Sequence, residues 1–308
     1  MSQARIGIDL GGTKVEALLL GPTGEIGPRL RAATPRDDYA ATVELLCTLV
    51  DDLDRRMGER CSVGIGTPGA WRSDLGVMHN CNSTWLNGRP LLTDLVLRLG
   101  NRVRMANDAN CLSLSEAFDG AAAGARCVFG VILGTGVGGG IVIDGALHLG
   151  RNAIAGEWGH TPMPYLGVRY KMSDELGALE AKLSQRACYC GRSNCIETFL
   201  SGPGLALTHE ALWGDRLDAV AIGRLSSAAT RATLELYWHM LARGLAQIVN
   251  VLDPDVIVVG GGVSELEGLY ARVPYLWHPY VFSDIVTTPL VPARHGATSG
   301  VRGAARLW

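Results

Sequence analysis

The chain has 308 residues, 47% hydrophobic and 19% charged, with a formal net charge of −2 at pH 7. Such values describe an ordinary globular protein long enough for two sizeable cores. No basic run marks a nucleic-acid face, and no apolar run reaches the roughly 20 residues of a membrane span. The N-terminus passes straight into a strand pattern, without the segments of a signal peptide, so a cytoplasmic protein is expected. Its eight Cys are then expected as thiols or metal ligands. Cys47, Cys61, Cys81, Cys111 and Cys127 are scattered and read as small core residues.

Residues 4–20 predict a strand, a glycine-rich turn and a second strand from Val15 to Leu20. Pro22-Thr23-Gly24 is a further turn leading to a third strand. Leu45, Leu46, Leu49, Val50 and Leu53 recur at helical spacing, so 38–57 predicts a helix with one apolar face. Ser62 to Gly66 is a short buried strand ending in Thr67-Pro68-Gly69. Residues 91–99 read as a helix and Val103 to Ala106 as a strand. Asn107-Asp108-Ala109-Asn110 opens a helix to about Phe118, with polar side chains where the first N–H groups need acceptors. A second strand series starts near Arg126. Residues 227–251 predict a long helix, Val256 to Val259 a buried strand, and the tail from Ser299 to Trp308 a terminal helix.

Ile6-Gly7-Ile8-Asp9-Leu10-Gly11-Gly12-Thr13-Lys14 is echoed by Val131-Ile132-Leu133-Gly134-Thr135-Gly136-Val137-Gly138-Gly139-Gly140. Each reads as a buried strand running into a glycine turn that carries a Thr. Such turns let successive N–H groups converge on an anion. Neither is a P-loop, because Lys14 follows Gly12-Thr13 directly, and no dinucleotide fingerprint follows the first strand. Each turn alone could be a plain hairpin; the pair suggests two lobes closing on one polyphosphate. Asp9 could hold Mg²⁺ through water, and Lys14 either neutralises phosphate or is simply solvated.

With Gly260-Gly261-Gly262, these motifs resemble the two phosphate motifs and the adenosine motif of the actin/hexokinase/Hsp70 ATPase superfamily. Within it the chain resembles the ROK family (repressor, open reading frame, kinase) from end to end. The resemblance implies a two-lobed α/β fold of duplicated ribonuclease-H-like domains that bind a sugar and Mg-ATP. Residues 1–118 would form the small lobe, with the helix at about 296–308 packing back on it, and 119–295 the large lobe. Asp9, Gly11, Gly12, Thr13, Lys14, Gly134, Thr135, Gly136, Gly138, Gly261 and Gly262 are the expected ATP-binding positions. ROK kinases are often dimers, so a homodimer is expected.

Cys188-Tyr189-Cys190-Gly191-Arg192-Ser193-Asn194-Cys195 supplies three thiolates, which suit Zn²⁺, and His160 is the nearest fourth ligand. By itself the cysteine spacing also allows a disulfide or a reactive thiol. The ROK family carries a His-plus-three-Cys zinc site, which implies His160, Cys188, Cys190 and Cys195 as ligands of a structural zinc. The family usually has Gly where this chain has Asn194; Asn tolerates left-handed backbone, so the turn can survive. Between His160 and Cys188, the polar stretch with Lys171, Asp174, Glu175, Glu180 and Lys182 reads as a surface excursion.

Phosphoryl transfer needs a positioned hydroxyl, charge compensation and a base. Asp108 at a strand-to-helix junction could be that base or only a helix cap. The resemblance implies the base, with Asn107, Glu157, His160 and Glu197 on the sugar and Gly69 and Asn82 on the rim of its site. Trp85 could be a sugar platform or a core residue.

Asn80 to Gly88, Gly120 to Gly124, the Cys-Tyr-Cys-Gly run and the stretch from His295 to Trp308 look most like the proteobacterial fructokinase/mannokinase branch. The expected reaction is thus ATP-dependent phosphorylation of D-fructose at O6, with D-mannose second. Glucokinase and N-acetylglucosamine kinase share every catalytic motif named and remain the alternatives. A sugar-sensing repressor would place a helix-turn-helix ahead of the first phosphate motif, and Asp9 lies too near the start for one. A non-sugar ATPase would need neither the Glu157, His160 and Glu197 group nor the zinc loop.

Overall fold

The computed structural model describes residues 4–168 and 170–308. The chain opens with strands β1 (Arg5–Leu10), β2 (Lys14–Leu20) and β3 (Ile26–Ala33), then helix α1 (Tyr39–Met57) and strand β4 (Ser62–Thr67). A short hairpin follows, β5 (Ala70–Arg72) and β6 (Val77–His79), then α2 (Leu91–Leu99), β7 (Val103–Asn107) and α3 (Asp108–Asp119). The second series is β8 (Cys127–Leu133), β9 (Val137–Ile143), β10 (Ala146–Leu147), α4 (Asp174–Glu180), α5 (Glu197–Leu200), α6 (Gly202–Trp213), α7 (Ala219–Arg224) and α8 (Ala228–Leu252). β11 (Val256–Gly260), α9 (Leu269–Trp277), β12 (Leu290–Pro292) and α10 (Ser299–Ala305) complete it. This is the mixed α/β architecture of the actin/hexokinase-like ATPases. Contacts divide the chain into two compact units, one of Met1–Gly124, Gly140–Ala155 and Arg294–Trp308, the other of Ala125–Gly139 and Gly156–Ala293.

In the first unit the sheet order is β3-β2-β1-β4-β7. β1 is antiparallel to β2 and parallel to β4, with Ile8 opposite Ala17 on one side and Ile65 on the other. Strands in that central position are covered on both faces, which is why β1 and β4 read as nearly unbroken apolar and glycine runs. One face packs on Leu46, Val50 and Leu53 of α1 and on Leu91, Leu95 and Leu99 of α2. Asp38 caps α1 by accepting from the Ala41 N–H at 2.9 Å. On the other face lies α10, where Val301 and Ala305 pack with Leu18 and Leu20. Backbones meet there without intervening side chains: a Cβ on Gly64 would lie 1.8 Å from the Ala304 carbonyl oxygen.

Under α10 runs α3, whose Glu116 is fully buried. Its carboxylate accepts from the N–H groups of Ala121, Arg294 and His295 and from the Ser299 hydroxyl, at 2.7–3.0 Å. The terminal helix ends at Ala305 rather than running to Trp308 as the periodicity predicts. The tail turns because the Trp308 indole donates to the Val63 carbonyl at 2.8 Å, while Arg104 stacks on its ring at 3.9 Å.

The second sheet has the order β10-β9-β8-β11-β12, with β8 parallel to β11 and β11 parallel to β12. The long α8 carries the core of the second unit, with Leu236, Tyr237, Met240, Leu241 and Leu245 all buried. The stretch expected as a surface excursion contains α4, and there the expectation needs correction. Glu180 is buried and forms an ion pair with the fully buried Arg243 of α8. The Arg243 guanidinium also donates to the Tyr165 carbonyl at 3.0 Å, so the excursion is anchored into the core. An arginine 63 residues away in sequence supplies the partner, which local polarity does not reveal.

Candidate active site

In the first unit, the turn after β1 is closed by the Gly11 N–H donating to the Lys14 carbonyl at 3.0 Å. The Thr34 hydroxyl, from the end of β3, donates to the Gly11 carbonyl at 2.7 Å. Gly11 and Gly12 are partly exposed, and Thr13 and Lys14 are exposed, so the turn presents its backbone to solvent. Asp9 is the last residue but one of β1, and a Cβ added to Gly300 of α10 would lie 3.5 Å from its carboxylate. Burial, then the charge of Asp108, then that of Glu16 raise the Asp9 pKa to about 6, against the opposing charge of Lys14.

Asp108 is the first residue of α3, and Asn107 is its N-cap. Asn107 Oδ1 accepts from the Asn110 N–H and Asp108 Oδ1 from the Ala109 N–H, both at 2.8 Å. The helix N-terminus therefore fixes the Asp108 carboxylate, which solvent still reaches although protein surrounds it closely. Desolvation by the surrounding protein raises its pKa, and the Ala109 N–H acts in the opposite direction. Asp9 and Asp108 are thus two electrostatically coupled carboxylates beside a glycine turn. Gly69 lies in the turn after β4 at φ +75°, where a Cβ would meet the His79 carbonyl oxygen at 2.5 Å. Asn82 is exposed. Trp85 packs against the first unit's core and its indole donates to the Thr42 hydroxyl at 3.3 Å, which favours the core reading of that residue.

In the second unit, the turn between β8 and β9 is closed by the Gly134 N–H donating to the Gly136 carbonyl at 3.0 Å. The Gly202 N–H, at the start of α6, donates to the Gly134 carbonyl at 2.8 Å. Glu197, at the start of α5, accepts from the Val137 N–H at 2.9 Å. Its Oε2 stands 2.7 Å from where a Cβ on Gly136 would be, so a side chain there would displace the Glu197 carboxylate. This contact joins a residue expected on the sugar to the turn expected on phosphate. Thr135 is exposed at the tip. Gly138 accepts from the Trp158 indole at 3.0 Å, which brings the Glu157-to-His160 segment against the same turn. Gly261 follows β11 at φ +90°, pressed against the Leu133 backbone, and Gly262 beside it is exposed.

His160, Cys188, Cys190 and Cys195 converge, their ligand atoms all within 4.8 Å of one another. His160 Nδ1 lies 3.5 Å from Cys188 Sγ, and Cys190 Sγ lies 3.6 Å from Cys195 Sγ. A tetrahedron with metal–ligand bonds of about 2.0–2.3 Å has edges of roughly 3.5–3.8 Å, so the donor set fits Zn²⁺. The loop is held by the Met163 N–H to the Asn194 carbonyl and by Asn194 Oδ1 to the Arg186 N–H, both 2.8 Å. Asn194 adopts φ +57°, the left-handed geometry the turn needs where Gly is usual. One contact has no counterpart in the motif reading: the Tyr189 hydroxyl lies 2.9 Å from His160 Nε2. Position alone, between two ligand cysteines, was the only signal for it.

Two glycine turns, one beside paired carboxylates and the other beside a His/Glu group, on this fold define a sugar kinase. The chain belongs to the ROK family, whose sequence pattern matches residues 5–308. It is similar to a ROK hexokinase from Thermus thermophilus at 27% identity and TM-score 0.82, covering 98% of this chain and 97% of that one. It is also similar to a ROK glucokinase from Streptomyces griseus in complex with glucose and AMPPNP, at 25% identity and TM-score 0.77, covering 99% and 98%. Curated relatives include N-acetyl-D-glucosamine kinases of Vibrio cholerae, 37% identical over 98% of both chains, and Pectobacterium atrosepticum, 38% identical over 98% of this chain and 97% of that one. The expected fructokinase/mannokinase branch finds no support among these relatives. No helix among the described residues is long and apolar enough to cross a membrane.

Proposed function

We propose that this chain transfers the γ-phosphoryl group of ATP to a hydroxyl of N-acetyl-D-glucosamine, the primary O6 being the least hindered. The observation that carries the sugar is the sustained 36–38% identity, across nearly the whole chain, to kinases of that name. The observation that supports the chemistry is Asp108, fixed at a helix N-terminus with a raised pKa.

In this reading the sugar hydroxyl gives its proton to Asp108 as its oxygen attacks the γ-phosphorus, and ADP leaves on the opposite side. A raised pKa makes Asp108 the stronger base. Asn107 Oδ1 is committed to capping α3, so its Nδ2 is the atom offered to the sugar. Glu157, His160 and Glu197 hold ring hydroxyls, with Gly69 and Asn82 at the rim. Backbone N–H groups of Gly12, Thr13, Thr135 and Gly136 meet the phosphates with Lys14, while Gly11, Gly134 and Gly138 shape the two turns, and Gly261 and Gly262 line the adenosine. Asp9 is the carboxylate suited to Mg²⁺, which when bound neutralises phosphate charge. A cation there also relieves the repulsion between Asp9 and Asp108. Zinc on the four-residue cluster serves structure, since four protein ligands leave no position for water.

The test is ADP release with Mg-ATP across N-acetylglucosamine, glucose, mannose and fructose. The highest kcat/KM is expected for N-acetylglucosamine. Preference for fructose or mannose would return the chain to the other branch, and release without any dependence on sugar would overturn the reading.

A further inference from the structure

Of the side chains assigned to the sugar, His160 has its outward nitrogen already engaged. His160 turns Nδ1 to the thiol cluster, 3.5 Å from Cys188 Sγ, which leaves Nε2 as its outward nitrogen. The Tyr189 hydroxyl sits on that nitrogen at 2.9 Å. The two rings meet edge to face, centroids 5.1 Å apart at 89°. The Tyr189 hydroxyl thus occupies the one imidazole nitrogen that this reading gives to a sugar hydroxyl.

The Tyr189 side chain is not fixed as a core residue is. The residue is 63% exposed and sits at the tip of the short loop between two ligand cysteines. Backbone bonds hold the loop itself, the Cys188 N–H donating to the Arg192 carbonyl at 2.8 Å and the Gly191 N–H to the Cys188 carbonyl at 3.0 Å. A rotation about the side-chain torsions of Tyr189 frees His160 Nε2 without disturbing the loop.

We propose that Tyr189 is a positioning residue that sets hexose affinity by occupying the sugar's hydrogen-bonding place on His160. Its hydroxyl holds Nε2 while the sugar is absent and yields that atom when a hexose hydroxyl arrives. The bond orients the imidazole in the empty site, and breaking it weakens sugar binding by the worth of one hydrogen bond. The inference rests on the assignment of Glu157, His160 and Glu197 to the sugar.

The experiment is Tyr189→Phe in zinc-loaded protein, which keeps the ring and deletes the competing hydroxyl. Calorimetric Kd and steady-state KM for N-acetylglucosamine are expected to fall about 2- to 10-fold, the range for one net hydrogen bond, with kcat little changed. Tyr189→Ala, which also removes the ring, is expected to show the same gain with zinc content unaltered. An unchanged or weaker affinity in Tyr189→Phe overturns the proposal, because the hydroxyl would then be idle or would bind the sugar directly. Glu157→Gln in the same assays separates the two levels. Loss of sugar affinity in that variant with no gain in Tyr189→Phe rejects the role of Tyr189 alone; full affinity in Glu157→Gln rejects the sugar site itself.

Discussion

Asp108 draws its chemistry from where α3 begins. A carboxylate at the first helical position is held by a backbone N–H and by the helix dipole, yet here desolvation outweighs both and raises its pKa. Asp9, with a pKa of about 6 set by burial and then by the charge of Asp108, loses part of that shift whenever Asp108 is neutral. Asp108→Asn is therefore expected to lower kcat by about 10²- to 10⁴-fold while the Kd for sugar changes little. In the native enzyme kcat/KM is expected to fall on the acid side with a midpoint above the ordinary carboxylate value near 3.9, because the base must be ionised and its pKa is raised. A mutant with near-native turnover, or an acid limb in kcat/KM no higher than that of an ordinary carboxylate, would remove Asp108 from the role. Aspartate after an Asn cap was visible in the sequence. Its coupling to Asp9, ninety-nine positions earlier, was not, because it depends on β1 and β7 flanking β4 in one sheet.

At the scale of elements, α3 is positioned from its far end. Glu116 gathers four donors, three of them from residues 121, 294 and 295 and one from the Ser299 hydroxyl. Asp119, one turn on, accepts from His295 at 2.9 Å and from Arg302 at 2.6 Å. The C-terminal segment is thus tied to the helix whose first residue is Asp108. Glu116→Ala strands buried donors and is expected to destabilise the protein by roughly 3 kcal/mol or more, read as a shift of the urea midpoint. A change below 1 kcal/mol would mean that water or backbone replaces the carboxylate. Periodicity alone located α1, α2, α3, α8 and α10 to within a few residues, since each has an apolar face or a cap that a local pattern encodes. It gave no element for the β5–β6 hairpin, α4, α5, α6, α7 or α9; α4, for one, is held by a tertiary partner, as Glu180 owes its burial to Arg243.

For the molecule as a whole, the cluster of His160, Cys188, Cys190 and Cys195 joins segments that secondary structure does not. It ties the turn at His160 to the loop at 188–195, beside Glu157 and Glu197. Cys190→Ser is expected to lose zinc, lower the unfolding temperature by about 5–10 °C and raise the KM for sugar together. Native protein with less than about one zinc per chain and full activity would count against the site. The three cysteines could be named from their spacing and His160 from the family resemblance, and the structure brings all four ligand atoms within 4.8 Å of one another. The two glycine turns were also legible, since their backbone needs are written in consecutive residues, as was the family, which several ordered motifs specify. Tertiary structure alone decided what those parts touch: Glu197 on the Val137 N–H 60 positions away, Tyr189 on His160, Glu116 on the C-terminal segment. Those contacts join residues far apart in the chain, so no local pattern encodes them.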